Sequence, residues 1–228
     1  MKNSIKYYNK ISVSSLRSKL KKKFDIRYSK IIKKIENNLN VKKDNFHFLS
    51  ENFQLNFNYR DLDKYKKFKS VVVIGMGGSI LGVQAIYSFL KHKIKKDFLF
   101  FDDIHLKKIQ NFKQNKDLNK TLFIIISKSG ETTETLSNLL FLNIIKKKSK
   151  NIIIISQRND NPLYNLSKKN YLHHIEHKSF IGGRYSIFSE AGLVPAYLMG
   201  INISKLRKNL LIHFEPKNKR NLRDIIWK

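Results

Sequence analysis

The sequence contains no cysteine, which excludes a disulfide framework and any metal site built on thiolates. Proline is also scarce, with three residues in the chain, and no proline- or glycine-rich linker divides it. Long apolar runs are missing as well: the longest, Val71–Val83, is interrupted by glycines and a serine and is too short to span a bilayer. We therefore expect no membrane partner and a cytoplasmic location.

Acidic residues are few. Asp and Glu number 17 against 46 Lys and Arg, which gives a formal net charge of +29. The basic residues are spread along the whole chain, together with Asn, Ile, Phe and Tyr, which AT-rich codons encode. A nucleic-acid-binding protein gathers its basic residues on one face. We therefore interpret the charge as a compositional bias on solvated surfaces and expect no nucleic-acid partner.

Two spacings of apolar residues divide the chain. Up to residue 50 the spacing is helical and predicts two amphipathic helices, Ser4–Leu20 and Phe24–Leu39. From Ser70 onward, short apolar runs, the first of them wholly β-branched, predict strands that are buried on both faces of a parallel sheet. The predicted strands are Val71–Ile74, Phe98–Phe101, Leu122–Ile126, Ile152–Ile155 and, more weakly, Leu172–Ile175. The helices predicted between them are Ile80–Lys91, Ile104–Phe112, Thr132–Lys148 and Leu163–Lys168.

Strands that alternate with helices imply βαβ units with parallel pairing. The sequence therefore predicts an α/β fold, a three-layer sandwich with a five-stranded parallel sheet, preceded by N-terminal helices. Further helices are expected at Ser189–Met199 and Ile203–His213. We expect three regions: a helical segment over 1–50, a ligand-binding domain over 51–202 and the helical start of a second domain over 203–228.

A glycine-rich loop, Gly75–Ser79, follows the first predicted strand and leads into a helix. Glycines let an anion approach the backbone, and a helix N-terminus offers free N–H groups, so a phosphate ligand is the natural interpretation. A dinucleotide fingerprint fits less well, because Ile80 stands where its third glycine belongs. In its favour, Asp102 and Asp103 end the second strand, where a ribose-binding acid would lie. A tight turn without a ligand also stays open.

Hydroxyl residues crowd the loop after the third predicted strand. Ser127, Ser129, Thr132 and Thr133 stand beside a glycine at the start of a helix. Several hydroxyls and free helix N–H groups that converge on one point suit a tetrahedral phosphate, and Lys128 would add positive charge. The alternative is a simple helix cap, which needs one hydroxyl rather than four.

A third motif, GGRYSIFSEAGLVPAYLMG, occupies residues 182–200. It resembles the signature G-G-R-[FY]-S-x-x-[ST]-x-x-G-L-x-P of the phosphoglucose isomerase family. The hydroxyl-rich stretch S-K-S-G-E-T-T-E-T resembles the phosphate loop of sugar isomerase (SIS) domains, and G-M-G-G-S-I-L-G precedes it as in phosphoglucose isomerases. All three motifs stand in the family's order between about residues 70 and 202.

This resemblance implies the reversible isomerisation of D-glucose 6-phosphate to D-fructose 6-phosphate, without a metal ion or organic cofactor. Arg184 would reach the reacting end of the sugar. That role suits the chemistry, because a cis-enediolate carries negative charge that a fixed guanidinium stabilises; a structural ion pair is the other interpretation of Arg184. The residues that would bind the sugar phosphate are Gly78, Ser79, Ser127, Lys128, Ser129 and Thr132.

The family's other catalytic groups have no counterpart in the motifs. Its glutamate base, a histidine from the neighbouring subunit and a late lysine lie farther along than this sequence extends, and Glu190 lies in the signature without being the base. We therefore expect an incomplete form that is inactive alone and whose full-length parent is a homodimer. A sugar-phosphate-binding regulatory SIS module without turnover is the alternative. Another substrate, such as mannose 6-phosphate, also stays open, because Gly130-Glu131 departs from the S-K-T-F-T-T of many members.

Three histidines near the last strand, His173, His174 and His177, raise the question of a metal site. The first two are adjacent on a strand, so their side chains point to opposite faces of the sheet. We expect no metal site from them.

Overall fold

The computed structural model describes residues 15–208 and 210–227, and its main feature is a single parallel sheet between helices. The strands are β1 Ser70–Gly75, β2 Asp97–Phe101, β3 Thr121–Ile126, β4 Ile152–Ser156 and β5 His173–Glu176. The helices are α1 Ser15–Asn38, α2 Tyr59–Asp63, α3 Gly78–Leu90, α4 Leu106–Asn115, α5 Thr133–Leu142, α6 Pro162–Asn170, α7 Glu190–Leu198, α8 Ile203–Arg207 and α9 Pro216–Trp227. Across these ranges, no helix combines the length and apolar character needed to cross a membrane.

The sheet has the strand order β2-β1-β3-β4-β5, and every neighbouring pair is parallel. The predicted five-stranded parallel sheet is therefore confirmed, with strand bounds that differ from the prediction by one residue in most cases. In chain order the path moves outward from β1 to β2, then returns past β1 to β3. This reversal creates a switch point between β1 and β3, where sheets of this kind bind ligands beyond their carboxyl ends.

The core forms two layers, one on each face of the sheet, because successive strand residues point to opposite faces. Val71 and Val73 pack with residues of α3 and α7, whereas Val72 and Ile74 pack with residues of α4, α5 and α6. Every residue of β3 is buried, as the unbroken apolar run predicts for a central strand. The predicted three-layer sandwich is confirmed.

The chain divides into two compact units. Leu39–Leu210 contains the sheet, while the other unit joins the chain up to Asn38 with the part from Leu211 onward. The three regions predicted from the sequence, with bounds at residues 50 and 202, stay a prediction.

Within the smaller unit, α1 and α9 pack antiparallel. The ring of Phe24 lies 5.1 Å from that of Trp227 near one end of the pair. Toward the other end, the Tyr28 hydroxyl donates to the Lys219 carbonyl at 2.8 Å, and Lys219 Nζ lies 2.7 Å from Glu36 Oε1. Aromatic contact and charged hydrogen bonds together fix the register of the two helices.

The N-terminal helices differ from the prediction. One continuous helix, α1, covers the predicted break between Leu20 and Phe24, so the division into two helices there is wrong. The intervening lysines are good helix formers and do not interrupt the backbone. Residues 4–14 of the first predicted helix lie outside the described residues.

Two other predicted helices are too long. The helix predicted over Thr132–Lys148 ends at Leu142, because Asn143 adopts the left-handed conformation with φ of 51° and its N–H donates to the Leu139 and Leu140 carbonyls. The helix predicted over Ile203–His213 ends at Arg207, and a 3₁₀ helix over Leu210–Phe214 follows. Helix α9 lies in the region over 203–228 that was expected to be helical, although its bounds were not predicted.

Replacement of Leu142 by Ala is expected to destabilise the fold by about 2–5 kcal/mol, because this side chain is fully buried and its loss leaves a cavity. Leu140→Ala is the matched control: it lies on the same helix, its side chain is 79% exposed, and its effect should stay within about 0.5 kcal/mol. Urea unfolding followed by circular dichroism measures both. Equal destabilisation by the two variants would contradict the burial of Leu142 in the core.

Candidate functional site

The two candidate loops leave the sheet at adjoining strand ends. Gly75 at the end of β1 pairs with Ile126 at the end of β3. The strands approach so closely there that a Cβ on Gly75 would lie 2.8 Å from the Ile126 carbonyl oxygen, so glycine is required. Loop 1 (residues 75–79) and loop 2 (residues 127–132) therefore start side by side at the carboxyl edge, at the β1/β3 switch point.

Loop 1 turns sharply into α3 through Gly77, whose φ of 53° lies in the left-handed region. Gly77 holds the N-cap position, and its carbonyl accepts the N–H groups of Ile80 and Leu81 at 3.1 and 3.0 Å. Its lack of a side chain leaves the first turn of α3 without a side-chain cap. Gly78 and Ser79 form this first turn, and both are half-buried.

Loop 2 is organised around the buried hydroxyl of Ser127. Its Oγ accepts the Gly130 N–H at 3.2 Å and lies 2.8 Å from Thr132 Oγ1. Thr132 holds the N-cap position of α5, yet its hydroxyl caps no N–H group. The alternative prediction, a simple helix cap, therefore does not describe the Thr132 hydroxyl. Ser129 is exposed, and its Oγ accepts the Glu131 N–H at 3.3 Å.

The other side of loop 2 rests on the turn that precedes α6. Gly130 has a φ of 73°, and a Cβ there would lie 1.8 Å from Asn161 Oδ1, so both backbone conformation and space require glycine. Asn161 is buried and caps α6 by accepting the Tyr164 N–H at 2.9 Å. The Lys128 carbonyl accepts the Gln157 N–H at 3.0 Å. These contacts fix loop 2 to the end of β4.

The third motif packs directly on loop 1. Its Gly183–Phe188 segment is a 3₁₀ helix, and the Ser186 hydroxyl lies within hydrogen-bond distance of the Gly78 carbonyl, 3.2 Å, and of the Gly183 carbonyl, 2.6 Å. A Cβ on Gly78 would lie 2.4 Å from the Gly183 carbonyl group, so glycine at 78 permits this contact. The structure thus brings the first and third motifs together beside the start of loop 2.

Arg184 is exposed at the start of this 3₁₀ helix. Among the residues that the structure describes, no carboxylate forms a salt bridge with it. The sequence left open that Arg184 forms a structural ion pair, and the described residues contain no such pair. Its guanidinium has five donors available for a ligand.

The third motif contains one member of a buried ion pair, Glu190, whose partner is Lys178. Glu190, the first residue of α7, has no solvent exposure, and its Oε1 lies 3.4 Å from Lys178 Nζ and accepts the Asn56 N–H at 2.9 Å. Its Oε2 has no hydrogen-bond partner among the described residues. Breaking such a pair leaves an uncompensated buried charge. Glu190 therefore anchors the segment around Asn56.

The histidines near β5 contact different partners. His173 Nδ1 lies 2.9 Å from the Tyr65 hydroxyl, and His174 Nε2 lies 3.0 Å from Ser156 Oγ. Within the described ranges, no three His, Asp or Glu side chains gather as metal ligands would. Burial lowers the pKa of His174 to about 4, and the nearby charge of Arg158 contributes to this lowering.

His177 is more deeply buried, at the carboxyl edge of the sheet. Burial lowers its pKa to about 4, and the positive charge of Lys128 in loop 2 contributes to this lowering. In the neutral ring, Nδ1–H donates to the Lys178 carbonyl at 3.1 Å, while Nε2 has no partner among the described residues. His177 is therefore a neutral neighbour of loop 2.

The acidic residues at the end of β2 are engaged elsewhere. Asp102 Oδ2 accepts from Gln84 Nε2 at 2.8 Å, and Lys108 Nζ lies 3.9 Å from Asp102 and 4.0 Å from Asp103. These contacts weaken the dinucleotide interpretation, which needs a carboxylate free to bind a ribose.

Sequence reasoning missed several residues that shape the site. Asn161 carries a usable signal, because Asn followed by Pro marks a helix start. Ser186 lies within the quoted signature but was not assigned a role. The pairing of Lys178 with Glu190 and the burial of His177 have no sequence signal, since charged and titratable residues are mostly exposed.

Comparison with known proteins identifies similar sequences. The family model for phosphoglucose isomerase matches residues 33–210 of this chain. The glucose-6-phosphate isomerase of Methanocaldococcus jannaschii is 38% identical over 151 residues, which cover 64% of this chain and 37% of that protein. The glucose-6-phosphate isomerase of Borreliella afzelii is 40% identical over 141 residues, covering 57% of this chain and 26% of that protein. The matched part thus spans well under half the length of these curated relatives.

Solved structures share the fold. A hypothetical protein from Thermus thermophilus superposes with a TM-score of 0.70 at 20% identity, covering 92% of this chain and 54% of that one. A glucose-6-phosphate isomerase from Chlamydia trachomatis gives a TM-score of 0.57 at 24% identity, covering 71% of this chain and 33% of that one. At these identities the likeness concerns the fold alone.

The depressed pKa of His177 predicts a loss of stability in acid. The folded-state pKa of about 4 lies below the ordinary value of 6.5, so the stabilising neutral form is fully present above pH 6.5 and is lost as the pH falls toward 4. We expect this residue to cost about 1–2 kcal/mol of unfolding free energy between pH 7 and pH 5. His177→Asn keeps a donor near the Lys178 carbonyl and should flatten the slope in urea unfolding.

The matched control is His92→Asn, which replaces an exposed histidine. It should leave the dependence of stability on pH unchanged. A slope in the His177→Asn variant as steep as that of the unmodified protein would show that His177 does not titrate as a buried group.

Proposed function

Because the chain belongs to the phosphoglucose isomerase family, we propose that it carries the sugar-phosphate-binding site of an enzyme that interconverts D-glucose 6-phosphate and D-fructose 6-phosphate. The observation that carries this proposal is the meeting of three motifs at one edge of the sheet. Ser186 of the third motif contacts Gly78 of the first, and the hydroxyl-rich loop 2 starts from the adjoining strand.

Loop 2 is the proposed phosphate site. Ser129 is exposed, and Thr132 leaves the first N–H groups of α5 without a side-chain cap, so donors and the positive end of the helix dipole are available to an anion. Lys128 is half-buried beside them. The buried Ser127 hydroxyl contributes by holding the loop through Gly130 and Thr132. Gly78 and Ser79 would line the sugar on the loop 1 side.

Arg184 is the proposed stabiliser of the reaction's negative charge. Isomerisation moves a proton between C1 and C2 through a cis-enediolate, whose oxygens carry the charge that develops. The exposed guanidinium lies on the segment that packs against loop 1, and no described carboxylate neutralises it. A phosphate held in loop 2 would orient the other end of the sugar toward Arg184.

Proton transfer needs a base, and the residues assigned to the site above do not supply one. Serine and threonine hydroxyls are weakly basic, and arginine stays protonated in proteins. Glu190 is sealed against Lys178 and is not available. We therefore propose that this chain contributes binding and charge stabilisation but not the base, and that the active form is a homodimer in the cytoplasm. The regulatory SIS module without turnover is the second candidate, since it needs no base.

Replacing Ser129 and Thr132 together by Ala is expected to weaken binding of fructose 6-phosphate at least tenfold, because hydrogen bonds to a charged group contribute about 1.5–3 kcal/mol each. Calorimetric titration of the 228-residue chain measures the affinity. Ser137→Ala, one turn farther along α5, is the control and should bind as the unmodified chain does. An unchanged affinity in the double variant would refute the assignment of loop 2.

The 228-residue chain alone is expected to bind fructose 6-phosphate without converting it. A coupled assay with glucose-6-phosphate dehydrogenase measures turnover, and binding is followed in parallel so that lost affinity is not mistaken for lost catalysis. Robust turnover would contradict the absence of a base. If Glu131→Gln then abolished that turnover, the loop 2 carboxylate would be the base instead.

The same chain distinguishes an isomerase site from a regulatory one. 5-Phosphoarabinonate carries a carboxylate that imitates the enediolate oxygens, and an isomerase site binds such a mimic more tightly than its substrate. Arg184→Gln should remove this preference while fructose 6-phosphate still binds. Equal affinity for both ligands in the unmodified chain would favour the regulatory module.

A further inference from the structure

A second basic cleft lies at the amino edge of the sheet, opposite the candidate site. Its walls come from the segments that precede β1, β3 and β4, and they border an open cavity of about 810 Å³. Strand β1 has six residues, so about 17 Å of strand separates this edge from loop 1. The lysines that line the cleft are Lys67, Lys69, Lys120, Lys146, Lys147 and Lys150.

These lysines are nearly uncompensated. None of the described residues that line the cleft is Asp or Glu. Only Lys120 has a carboxylate within salt-bridge distance among the described residues, Asp117 at 3.8 Å, and that pair is exposed to solvent and therefore weak. Positive charges gathered from three segments repel one another, and an anion with several charges would relieve that repulsion.

Neutral donors complete the cleft. The Ser70 hydroxyl and the side-chain amide of Asn119 line it, and neither forms a hydrogen bond with another described residue. Asn151 has a different role, because its Nδ2 donates to the Leu118 and Thr121 carbonyls at 2.8 Å. These two bonds tie the start of β4 to the start of β3 and make the wall rigid.

The cleft continues into a neighbouring cavity of about 460 Å³, with Lys67, Ser149 and Lys150 common to both. The second cavity adds Lys64 and Lys148, so the row of positive charge is longer than one phosphate group needs.

We propose that this cleft binds a small anion with several linked phosphate groups, of the kind found in inorganic oligophosphates and nucleoside polyphosphates. The cavity is of the size that small ligands occupy. A groove for single-stranded nucleic acid instead presents exposed aromatic rings on which bases stack. Phe68, the aromatic residue among the described residues that line the cleft, is buried. The exposed ring of Tyr171 lies in the neighbouring cavity, with Lys147 and Lys148 at 5.8 and 6.0 Å. This inference is independent of the function proposed for the opposite edge.

The test is calorimetric titration of the 228-residue chain with inorganic tripolyphosphate and, separately, with a nucleoside triphosphate. We expect one tripolyphosphate per chain, bound equally well when fructose 6-phosphate is present. The variant Lys69→Gln, Lys120→Gln, Lys150→Gln should weaken binding at least about tenfold, since each exposed charge contributes modestly. The corresponding Lys→Arg variant keeps the charge and should bind. Tighter binding of the nucleoside triphosphate than of tripolyphosphate would identify the nucleotide as the source of the phosphates.

A matched control removes the same charge elsewhere. Lys42, Lys107 and Lys205 are exposed and line neither cavity, so their replacement by Gln should change the affinity less than about twofold. Equal losses in both triple variants would overturn the proposal, since net charge alone would then explain binding. Displacement by fructose 6-phosphate would place the ligand in loop 2 instead. Tighter binding of a single-stranded oligonucleotide of equal charge would overturn the proposal and identify a nucleic acid as the ligand of the cleft.

Discussion

The parallel pairing of β1 with β3 is the constraint on which the rest of the structure depends. It places the end of the first strand against the end of a strand that lies about fifty residues later in the chain. The two strands approach so closely at Gly75 that no side chain fits there. This pair positions both candidate loops: loop 1 and α3 follow one strand, and loop 2 follows the other. The third motif reaches the same place by packing on Gly78.

Around this pair, the fold accepts buried polar groups in order to fix loops that have little apolar surface of their own. Ser127, Asn161 and Glu190 are all buried, and each accepts a backbone N–H group. Ser127 and Asn161 accept from their own loop and helix start, whereas Glu190 accepts from the distant Asn56. Such groups are costly unless they are satisfied, but they also allow few alternative arrangements. The unpartnered Oε2 of Glu190 and Nε2 of His177 show that satisfaction is incomplete among the described residues. Rigidity of the loops at the carboxyl edge is thus obtained from polar contacts, and rigidity of the sheet from apolar ones.

The sequence was informative wherever a local pattern has one physical meaning. Short apolar runs identified all five strands, β5 more weakly, while glycines identified loop 1 and hydroxyl residues identified loop 2. Helix ends were less predictable: α5 stops at Asn143 because of a left-handed cap, although the apolar pattern continues through Ile144 and Ile145. Buried polar residues were the least predictable. Charged residues such as Lys178 and Glu190 are normally expected on the surface, and these two become partners only in the tertiary fold. The basic cleft has the same origin, since lysines from separate segments meet only when three strand starts are aligned.

The distance along the chain between β1 and β3 also has a consequence for how the protein folds. Contacts between residues far apart in sequence form slowly, because closing a long loop costs entropy before the contacts contribute any favourable free energy. Helix α3 can form locally at the end of loop 1. Loop 1 has loop 2 beside it only once β3 has paired with β1, and β2 and α4 lie between these two strands in the chain. The candidate site therefore cannot form before β1 pairs with β3. An unfolding event that separates β1 from β3 would remove the whole site at once, even while the helices on either face stayed intact.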